Sequence, residues 1–431
     1  MKYWDYGNLR ISENRRYFVN GDKPFFWLGD TAWLLFVNIS EDEAYVYLKN
    51  RADKGFNVIQ ACLIYATPGM KDINKMPVRR YDVETAEYWE HCDRIIKKAE
   101  ELGLYMALLP SWGSLVKNNI LTEENALKYA DFLAKRYAGY KNIIWILGGD
   151  IKAGGYEGIY QIMGEHFKKL NPDKLIGFHS FGRCSSTMWF KDADWLDFNM
   201  FQSGHRRYDQ CDMGAWDDNG DNPTYYGEDN WKYVEHDHKL SDKPTLDGEP
   251  SYELILQGLH DNTQPYWQAK EIRRYAYWSV LAGAAGHTYG DNSVMQFFTH
   301  EGEGVTYGAK DHWKVAIHHD GSGQMKYLRE LMESVDFIHG FKADERLIGG
   351  QRERHERIAV FAGEDYIIAY SYLGKSFTLD TTGFIGADIY FMRPAVGAYS
   401  YAGKVTGDRY AYVEMPCYNG DEDIVVVIRK A

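Results

Sequence analysis

The feature that most constrains the fold of this chain is a regular alternation of short apolar runs with longer amphipathic segments. Between about residues 25 and 340 the alternation repeats about eight times. The apolar runs are continuous, which is typical of strands buried on both faces. The amphipathic segments begin at helix caps and end at glycine, as in residues 40–55, where Ser40 precedes Glu43 by three positions. Eight such units predict an α/β fold, a (β/α)8 TIM barrel.

The predicted strands lie between the helical segments. They are FFWLGD (25–30), FNVIQACLI (56–64), LYMALLPSWG (104–113), NIIWILGGD (142–150), LIGFHSFG (175–182), DFNMFQSGH (197–205), PTLDGEPSYE (244–253) and AGHTYG (285–290). A doubly wound open sheet is the alternative arrangement. It is less favoured because no GxGxxG motif follows the first strand and because eight regular units favour closure.

The pattern changes at both ends of the chain. Residues 1–24 precede the barrel, and the Asn-Gly-Asp turn near their end predicts a hairpin that caps the barrel floor or pairs with a C-terminal sheet. Residues 343–431 contain short alternating strands separated by Gly- and Asp-containing turns, as in a small antiparallel β-sandwich. We therefore predict a hairpin over 1–24, a TIM barrel that carries the active site over 25–342, and a β-sandwich domain over 343–431.

Charge and cysteine content exclude several classes of function. The chain has 62 acidic and 49 basic residues, a formal net charge of −13, and no long basic run, so nucleic acid is not an expected partner. Its five cysteines are scattered without CxxC spacing, which argues against a disulfide framework and a structural zinc site.

Location is less constrained. No apolar run reaches the length of a membrane span, and the N-terminus lacks a signal-peptide core. We expect a cytoplasmic protein if this chain is complete, and a periplasmic or secreted one if a leader was removed. The pattern does not indicate an oligomeric state.

In a TIM barrel the functional groups lie at the carboxyl ends of the strands. Those positions predict a catalytic carboxylate pair, Asp150 after the fourth strand and Glu249 after the seventh. The predicted substrate-binding residues are Asp30, Gln60, Trp112, His179, Gln202, His287 and Tyr289. Aromatic residues make up 16% of the chain, and rings with polar tips suit sugars, although large barrels also hold many aromatics for packing alone.

Cleavage of a glycosidic bond needs two carboxyl groups, one that protonates the leaving oxygen and one that attacks or activates water. The alternative for Asp150 is a helix cap, but the two glycines before it favour function because they leave space for a ligand. The alternative for Glu249 is a loop carboxylate paired with a basic side chain. Asp247 lies deeper in the same strand and is interpreted as a buried supporting acceptor.

The remaining polar motifs have weaker interpretations. Asp30 fits either a substrate contact or a turn cap, and His205 is a less certain rim residue. No metal or cofactor is expected, because the first strand ends in GDTAW where a binuclear hydrolase would carry HxH. The run HHD (318–320) is interpreted as a solvated loop, and residues 211–230 as a long loop over the rim without calcium-site spacing.

Four motifs together resemble glycoside hydrolase family 140, whose characterised members are apiosidases that act on plant pectin. They are RYFVNGDKPFFWLGDTAWLLF, RADKGFNVIQACL, WILGGD and LDGEPSYE. The resemblance covers essentially the whole chain, including a C-terminal sheet domain often labelled collagen-binding. It implies that Asp150 is the acid/base, that Glu249 is the nucleophile of a retaining reaction, and that the substrate is an apiose-containing pectic oligosaccharide.

One motif departs from the wider group of barrel hydrolases, which usually carries Asn-Glu where this chain has Gly149-Asp150. The contact to the sugar 2-hydroxyl is therefore expected from Gln202 or His179. Three other functions stay open at this point. They are a hydrolase of another glycan, a non-catalytic carbohydrate-binding protein on a hydrolase scaffold, and a metal-dependent hydrolase.

Overall fold

The N-terminal segment forms a small antiparallel sheet at the floor of the barrel. The computed structural model describes residues 2–66, 85–210, 225–300, 306–413 and 422–430. The sheet consists of β1 (Leu9–Ile11), β2 (Phe18–Asn20) and β3 (Lys23–Phe25). Phe18 of β2 packs edge-on against Phe198, with ring centroids 5.4 Å apart, at the amino-terminal end of a barrel strand. Of the two positions expected for this segment, the structure has the one below the barrel.

The barrel strands follow in chain order, with one short extra strand among them. They are β4 (Trp27–Thr31), β5 (Val58–Ile64), β6 (Tyr105–Ser111), β7 (Ile143–Ile151), β8 (Ile176–Ser180), the extra β9 (Cys184–Ser185), β10 (Asn199–Gln202), β11 (Thr245–Asp247) and β12 (Gly286–Tyr289). Each of the eight predicted strands is present, and the TIM-barrel prediction is confirmed.

The helices lie mainly outside the strands. They are α1 (Leu35–Asn38), α2 (Glu41–Asp53), α3 (Ala86–Glu101), α4 (Gly113–Lys117), α5 (Glu123–Arg136), α6 (Glu157–Leu170), α7 (Thr187–Phe190), α8 (Asn230–Leu240), α9 (Ala269–Leu281), α10 (Asn292–Met295), α11 (Trp313–Ala316) and α12 (Asp320–Glu333). Helix α2 begins at the predicted capping box, in which Ser40 Oγ accepts the Glu43 backbone N–H and Glu43 Oε2 accepts the Ser40 backbone N–H.

Closure of the barrel is uneven. Strands β12, β4, β5, β6, β7 and β8 form one parallel hydrogen-bonded sheet, whereas β10 lies in a second sheet between β11 and the short β9. Single backbone bonds join the two parts: Asp197 donates to the carbonyl of Ile176 at 2.8 Å, and Ala285 donates to that of Thr245 at 2.9 Å. The strands that end near His205 and Glu249 therefore belong to the less firmly hydrogen-bonded part of the barrel.

The C-terminal region forms the predicted β-sandwich. Its strands are β13 (Phe341–Lys342), β14 (Leu347–Ile348), β15 (Ile358–Ala362), β16 (Tyr366–Ser371), β17 (Phe377–Asp380), β18 (Asp388–Arg393), β19 (Ala398–Lys404), β20 (Arg409–Tyr412) and β21 (Ile424–Arg429). A six-stranded antiparallel sheet faces a three-stranded one, and the buried side chains between them form a separate apolar core. The boundaries predicted at residues 24 and 342 stay predictions.

The sandwich is joined to the barrel through α9. The rings of Tyr277 and Tyr370 stack with centroids 4.6 Å apart, and Arg273 Nη2 lies 2.7 Å from Asp423 Oδ1 in a buried ion pair. An interface with buried aromatic and ionic contacts fixes the sandwich against the barrel. Within the ranges that the structure describes, no helix is both long and apolar enough to cross a membrane.

Candidate active site

Asp150 stands where β7 loses its regular register with β8. The irregularity lies between Gly148 and Ile151, and Asp150 itself adopts φ +52°, a left-handed conformation that costs free energy for a residue with a Cβ. Its backbone N–H donates to Nδ1 of His179 at 3.2 Å. The carboxylate is thus presented from a strained, specifically held backbone at the carboxyl-terminal rim of the barrel.

Glycine is needed at the two positions before Asp150 for a reason other than the one expected from the sequence. A Cβ on Gly148 would lie 2.2 Å from the carbonyl oxygen of His179, and one on Gly149 would lie 3.1 Å from Cα of Trp112. Both glycines also have φ near +95°, where an L side chain is strained. The interpretation that they leave space for a ligand was wrong: neighbouring protein atoms fill that space.

Glu249, two residues beyond β11, is buried between two imidazoles. Nε2 of His205 lies 3.1 Å from its Oε1 in a hydrogen bond. Nε2 of His179 lies 3.1 Å from its Oε2, without the alignment of a well-formed hydrogen bond. Because Nδ1 of His179 accepts from Asp150, the proton of a neutral ring resides on Nε2 and faces Glu249. The ring of His179 therefore connects the backbone of Asp150 to the side-chain carboxylate of Glu249.

The pKa values of the two carboxyl groups move in opposite directions. Burial raises the pKa of Asp150, and the negative charge of Glu249 raises it further, against the weaker influence of Lys117 and the two histidines. Burial also acts to raise the pKa of Glu249, but the imidazoles of His179 and His205, which face its two carboxylate oxygens, outweigh it and lower this pKa. The arrangement favours one protonated and one ionised carboxyl group in the same site.

A second set of buried groups holds the backbone around Glu249. Asp247 accepts from Oγ of Ser203 at 2.6 Å and from Nδ2 of Asn230 at 3.2 Å, and burial raises its pKa to about 6. Nε2 of Gln60 donates to the carbonyl of Gly248 at 2.8 Å. Asp247 is the buried supporting acceptor that the sequence predicted. Gln60 is fully buried and contacts this backbone from inside the barrel.

Aromatic rings form one wall of the site. Tyr65 and Trp112 stack with centroids 5.1 Å apart, and Trp33 lies 5.0 Å from Trp112 and 5.2 Å from the ring of His179. Nε1 of Trp33 donates to the hydroxyl of Tyr252 at 3.0 Å, and Tyr252 packs against the ring of His205. These rings are almost fully buried, and they lower the local polarity around the carboxyl groups.

The structure brings some of the predicted site residues together. Trp112 and His179 lie within the carboxylate site, and Gln202 ends β10 close to His205. Sequence reasoning did not include Trp33 and Tyr252 and left His205 uncertain. Trp33 stands three residues after Asp30 and Tyr252 three after Glu249, so a search one turn beyond each strand end would have found them.

Three predicted residues do not lie beside Asp150 and Glu249: Asp30, His287 and Tyr289. Oδ2 of Asp30 accepts from Nε of Arg51 at 2.6 Å, and Tyr289 donates to Oε2 of Glu253 at 2.5 Å. His287 is fully buried, and within the described chain neither of its ring nitrogens forms a hydrogen bond. The prediction that these three bind substrate is therefore corrected, because strand alternation directs them away from the barrel interior.

The remaining motifs lie outside the site. Within HHD, His318 and Asp320 are exposed, as a solvated loop requires, whereas His319 is partly buried and ion-paired with Asp291 at 2.6 Å and with Asp311 at 3.2 Å. The described part of the chain holds no group of three or more side chains suited to a metal ion. Of the predicted rim loop over 211–230, residues 211–224 lie outside the described residues.

The chain matches two family models that divide it between barrel and sandwich. Residues 12–339 match the "Apiosidase-like, catalytic domain", and residues 343–429 match the "Putative collagen-binding domain of a collagenase". None of the curated proteins matches the chain.

Solved structures of glycoside hydrolases are similar over the whole length. One described as "Glycoside hydrolase" is 36% identical, covers 100% of this chain and 98% of its own, and has a TM-score of 0.91. A glycoside hydrolase family 5 structure from Bacteroides vulgatus is 35% identical, covers 100% and 95%, and has a TM-score of 0.90. These matches establish that the chain is a glycoside hydrolase and belongs to the apiosidase-like family.

Proposed function

We propose that this protein is a retaining glycoside hydrolase that removes apiose from pectic oligosaccharides, with Asp150 as the acid/base and Glu249 as the nucleophile. One observation carries the proposal: His179 accepts the backbone N–H of Asp150 and faces the carboxylate of Glu249, so both carboxyl groups share one site, with pKa values shifted in opposite directions. A retaining glycosidase needs this division of roles, an acid that still holds its proton and a carboxylate that does not.

The first step forms a covalent intermediate. Asp150 donates its proton to the glycosidic oxygen while a carboxylate oxygen of Glu249 attacks the anomeric carbon. The bond to the leaving group breaks, and a glycosyl ester of Glu249 forms. The rings of Trp33 and Trp112 would keep water away from the reacting groups at this point, since both pack against His179.

The second step reverses the roles of the two groups. Once Glu249 is esterified, it no longer carries the negative charge that raises the pKa of Asp150. The pKa of Asp150 then falls, so that its carboxylate takes a proton from the attacking water. Hydrolysis of the ester returns Glu249 to the ionised form that His179 and His205 stabilise.

The substrate assignment is supported by the match of residues 12–339 to the apiosidase-like catalytic domain. A screen of apiose-containing pectic oligosaccharides tests it, with the released monosaccharide identified by chromatography. We expect apiose from the wild-type chain and from the exposed control variant Glu165→Gln, and none from Glu249→Gln. Release of a different sugar would refute the substrate, and an anomer of inverted configuration would refute the retaining mechanism.

A further inference from the structure

The sandwich domain reaches the rim of the barrel beside the carboxylate site. Between β14 and β15, a short turn formed by Arg354–Glu356 lies against Tyr208. The guanidinium carbon of Arg354 is 5.0 Å from the ring centroid of Tyr208, and the ring of His355 is 5.3 Å from it. Arg354 has φ +49°, a strained conformation for a residue with a Cβ, so the surrounding contacts must hold this turn in place.

Glu228 is the buried group at which the domains meet. Its Oε2 lies 2.8 Å from Nε2 of His355 and 2.5 Å from Nη2 of Arg274, and its Oε1 accepts the backbone N–H of Tyr208 at 2.8 Å. Burial acts to raise the pKa of Glu228, but the charges of Arg274 and His355 outweigh it and lower this pKa. The ionised carboxylate of Glu228 therefore contacts the sandwich through His355, helix α9 through Arg274, and the barrel rim through Tyr208.

The rim segment from Ser203 to Tyr208 also carries His205. Its carbonyl oxygen accepts from Nε1 of Trp267 at 3.0 Å, while its ring donates to Glu249. Only two residues separate His205 from Tyr208. A displacement of Tyr208 is therefore transmitted along a short length of backbone to the imidazole that holds Glu249.

We propose that His355 is a positioning residue for the reaction, and that the sandwich domain thereby sets the geometry of the nucleophile from outside the barrel. The inference rests on the proposed function of Glu249. His355 donates to Glu228, Glu228 fixes the backbone of Tyr208, and the rim segment places His205 against Glu249. Without His355, the buried Glu228 carboxylate pairs more closely with Arg274 and holds Tyr208 less well.

The test uses the full-length protein and three single variants. His355→Ala removes the donor, whereas His355→Gln keeps an N–H group that can reach Glu228. His339→Ala is the matched control, because His339 pairs with Asp336 at 2.7 Å but its side chain is 76% exposed. The readouts are the Nε2 proton signal of His205 by NMR, assigned by its loss in His205→Gln, together with kcat, KM and the thermal unfolding midpoint.

We expect the His205 proton signal to broaden or disappear in His355→Ala and to persist in His355→Gln and His339→Ala. In His355→Ala, kcat should fall about tenfold while KM changes little, because the nucleophile and not the sugar contacts are affected. An unchanged His205 signal in His355→Ala would overturn the inference. So would a loss of activity that only follows the unfolding midpoint and is not restored in His355→Gln.

The two proposals fail separately in this experiment. A wild-type chain that releases no sugar would refute the proposed function, while the His205 proton signal would still decide whether His355 positions that ring. If the wild-type chain is active and His355→Ala changes neither the His205 proton signal nor kcat, only the positioning role is refuted.

Discussion

A single imidazole determines how the two carboxyl groups of this site differ. His179 accepts the backbone N–H of Asp150 on one nitrogen and turns the other toward Glu249. The first contact fixes the ring, and the second favours the ionised form of Glu249. The charge kept on Glu249 then helps to keep the proton on Asp150. The acid and the nucleophile are thus assigned by their surroundings, although both are simple carboxylic acids.

Removal of His179 should move the acidic limb of the pH profile. Because His179 lowers the pKa of Glu249, the variant His179→Ala should raise that pKa and shift the acidic limb of kcat/KM to higher pH. The measurement is kcat/KM on an activated aryl glycoside between about pH 3 and pH 8, because this range includes the ordinary pKa values of carboxyl groups. His166→Ala on α6 is the control, since that ring pairs with Asp131 away from the site. An acidic limb that stays in place, or moves to lower pH, would contradict the assignment.

Loss of the acid should depend on the leaving group. Asp150→Asn cannot donate a proton, so hydrolysis of natural sugar linkages should fall by about 10³-fold or more. Aryl glycosides with acidic phenols need little protonation and should lose far less in kcat. The experiment compares kcat for both substrate types, with Asp173→Asn as an exposed control. Equal losses on the two types of substrate would argue against an acid role for Asp150.

At the scale of elements, the sequence pattern predicted the strands and helix starts, because these depend on local periodicity. All eight barrel strands were found because apolar runs and helix caps are local signals, as at Ser40. The direction in which individual side chains point was harder to predict, since Asp30 and Gln60 lie on neighbouring strands yet contact different surroundings. Trp33 and Tyr252 were missed because only the strand-end positions were considered, whereas each stands three residues beyond one, and their contact with each other depends on tertiary packing.

The close approach of β7 and β8 gives a prediction at this scale. In Gly148→Ala the new Cβ would meet the carbonyl oxygen of His179 at 2.2 Å, on a backbone with φ +95°. We expect a loss of about 3 kcal/mol in the free energy of unfolding, together with a fall in kcat as His179 moves. Gly139→Ala is the control, since nothing lies within 4 Å of its Cβ. If both variants unfold at the same denaturant concentration, the proposed reason for the glycine is wrong.

At the scale of the whole molecule, the sandwich and the barrel share buried polar contacts. Arg273 on α9 pairs with Asp423, and both side chains are almost fully buried. The neighbouring residue Glu422 pairs instead with Arg393 at the surface, where both side chains are over 40% exposed. The two adjacent acids therefore contribute differently, since burial removes the screening by water that weakens a surface pair.

This difference gives a paired test. Asp423→Asn leaves Arg273 buried without its anionic partner and should lower the free energy of unfolding by about 3 kcal/mol. Glu422→Gln should change it by less than about 0.5 kcal/mol. Denaturant unfolding followed by tryptophan fluorescence measures both. Similar values for the two variants would contradict the account of a joined interface.

The central claim is that Glu249 forms the covalent bond to the sugar. A 2-deoxy-2-fluoro glycoside with a good leaving group should trap that intermediate, because the fluorine slows its hydrolysis more than its formation. Digestion of the trapped protein and mass spectrometry then locate the added sugar. We predict one added sugar on the peptide that contains Glu249, and none in Glu249→Gln. A sugar attached to another residue, or steady turnover of natural substrate with no trapped adduct, would contradict the account.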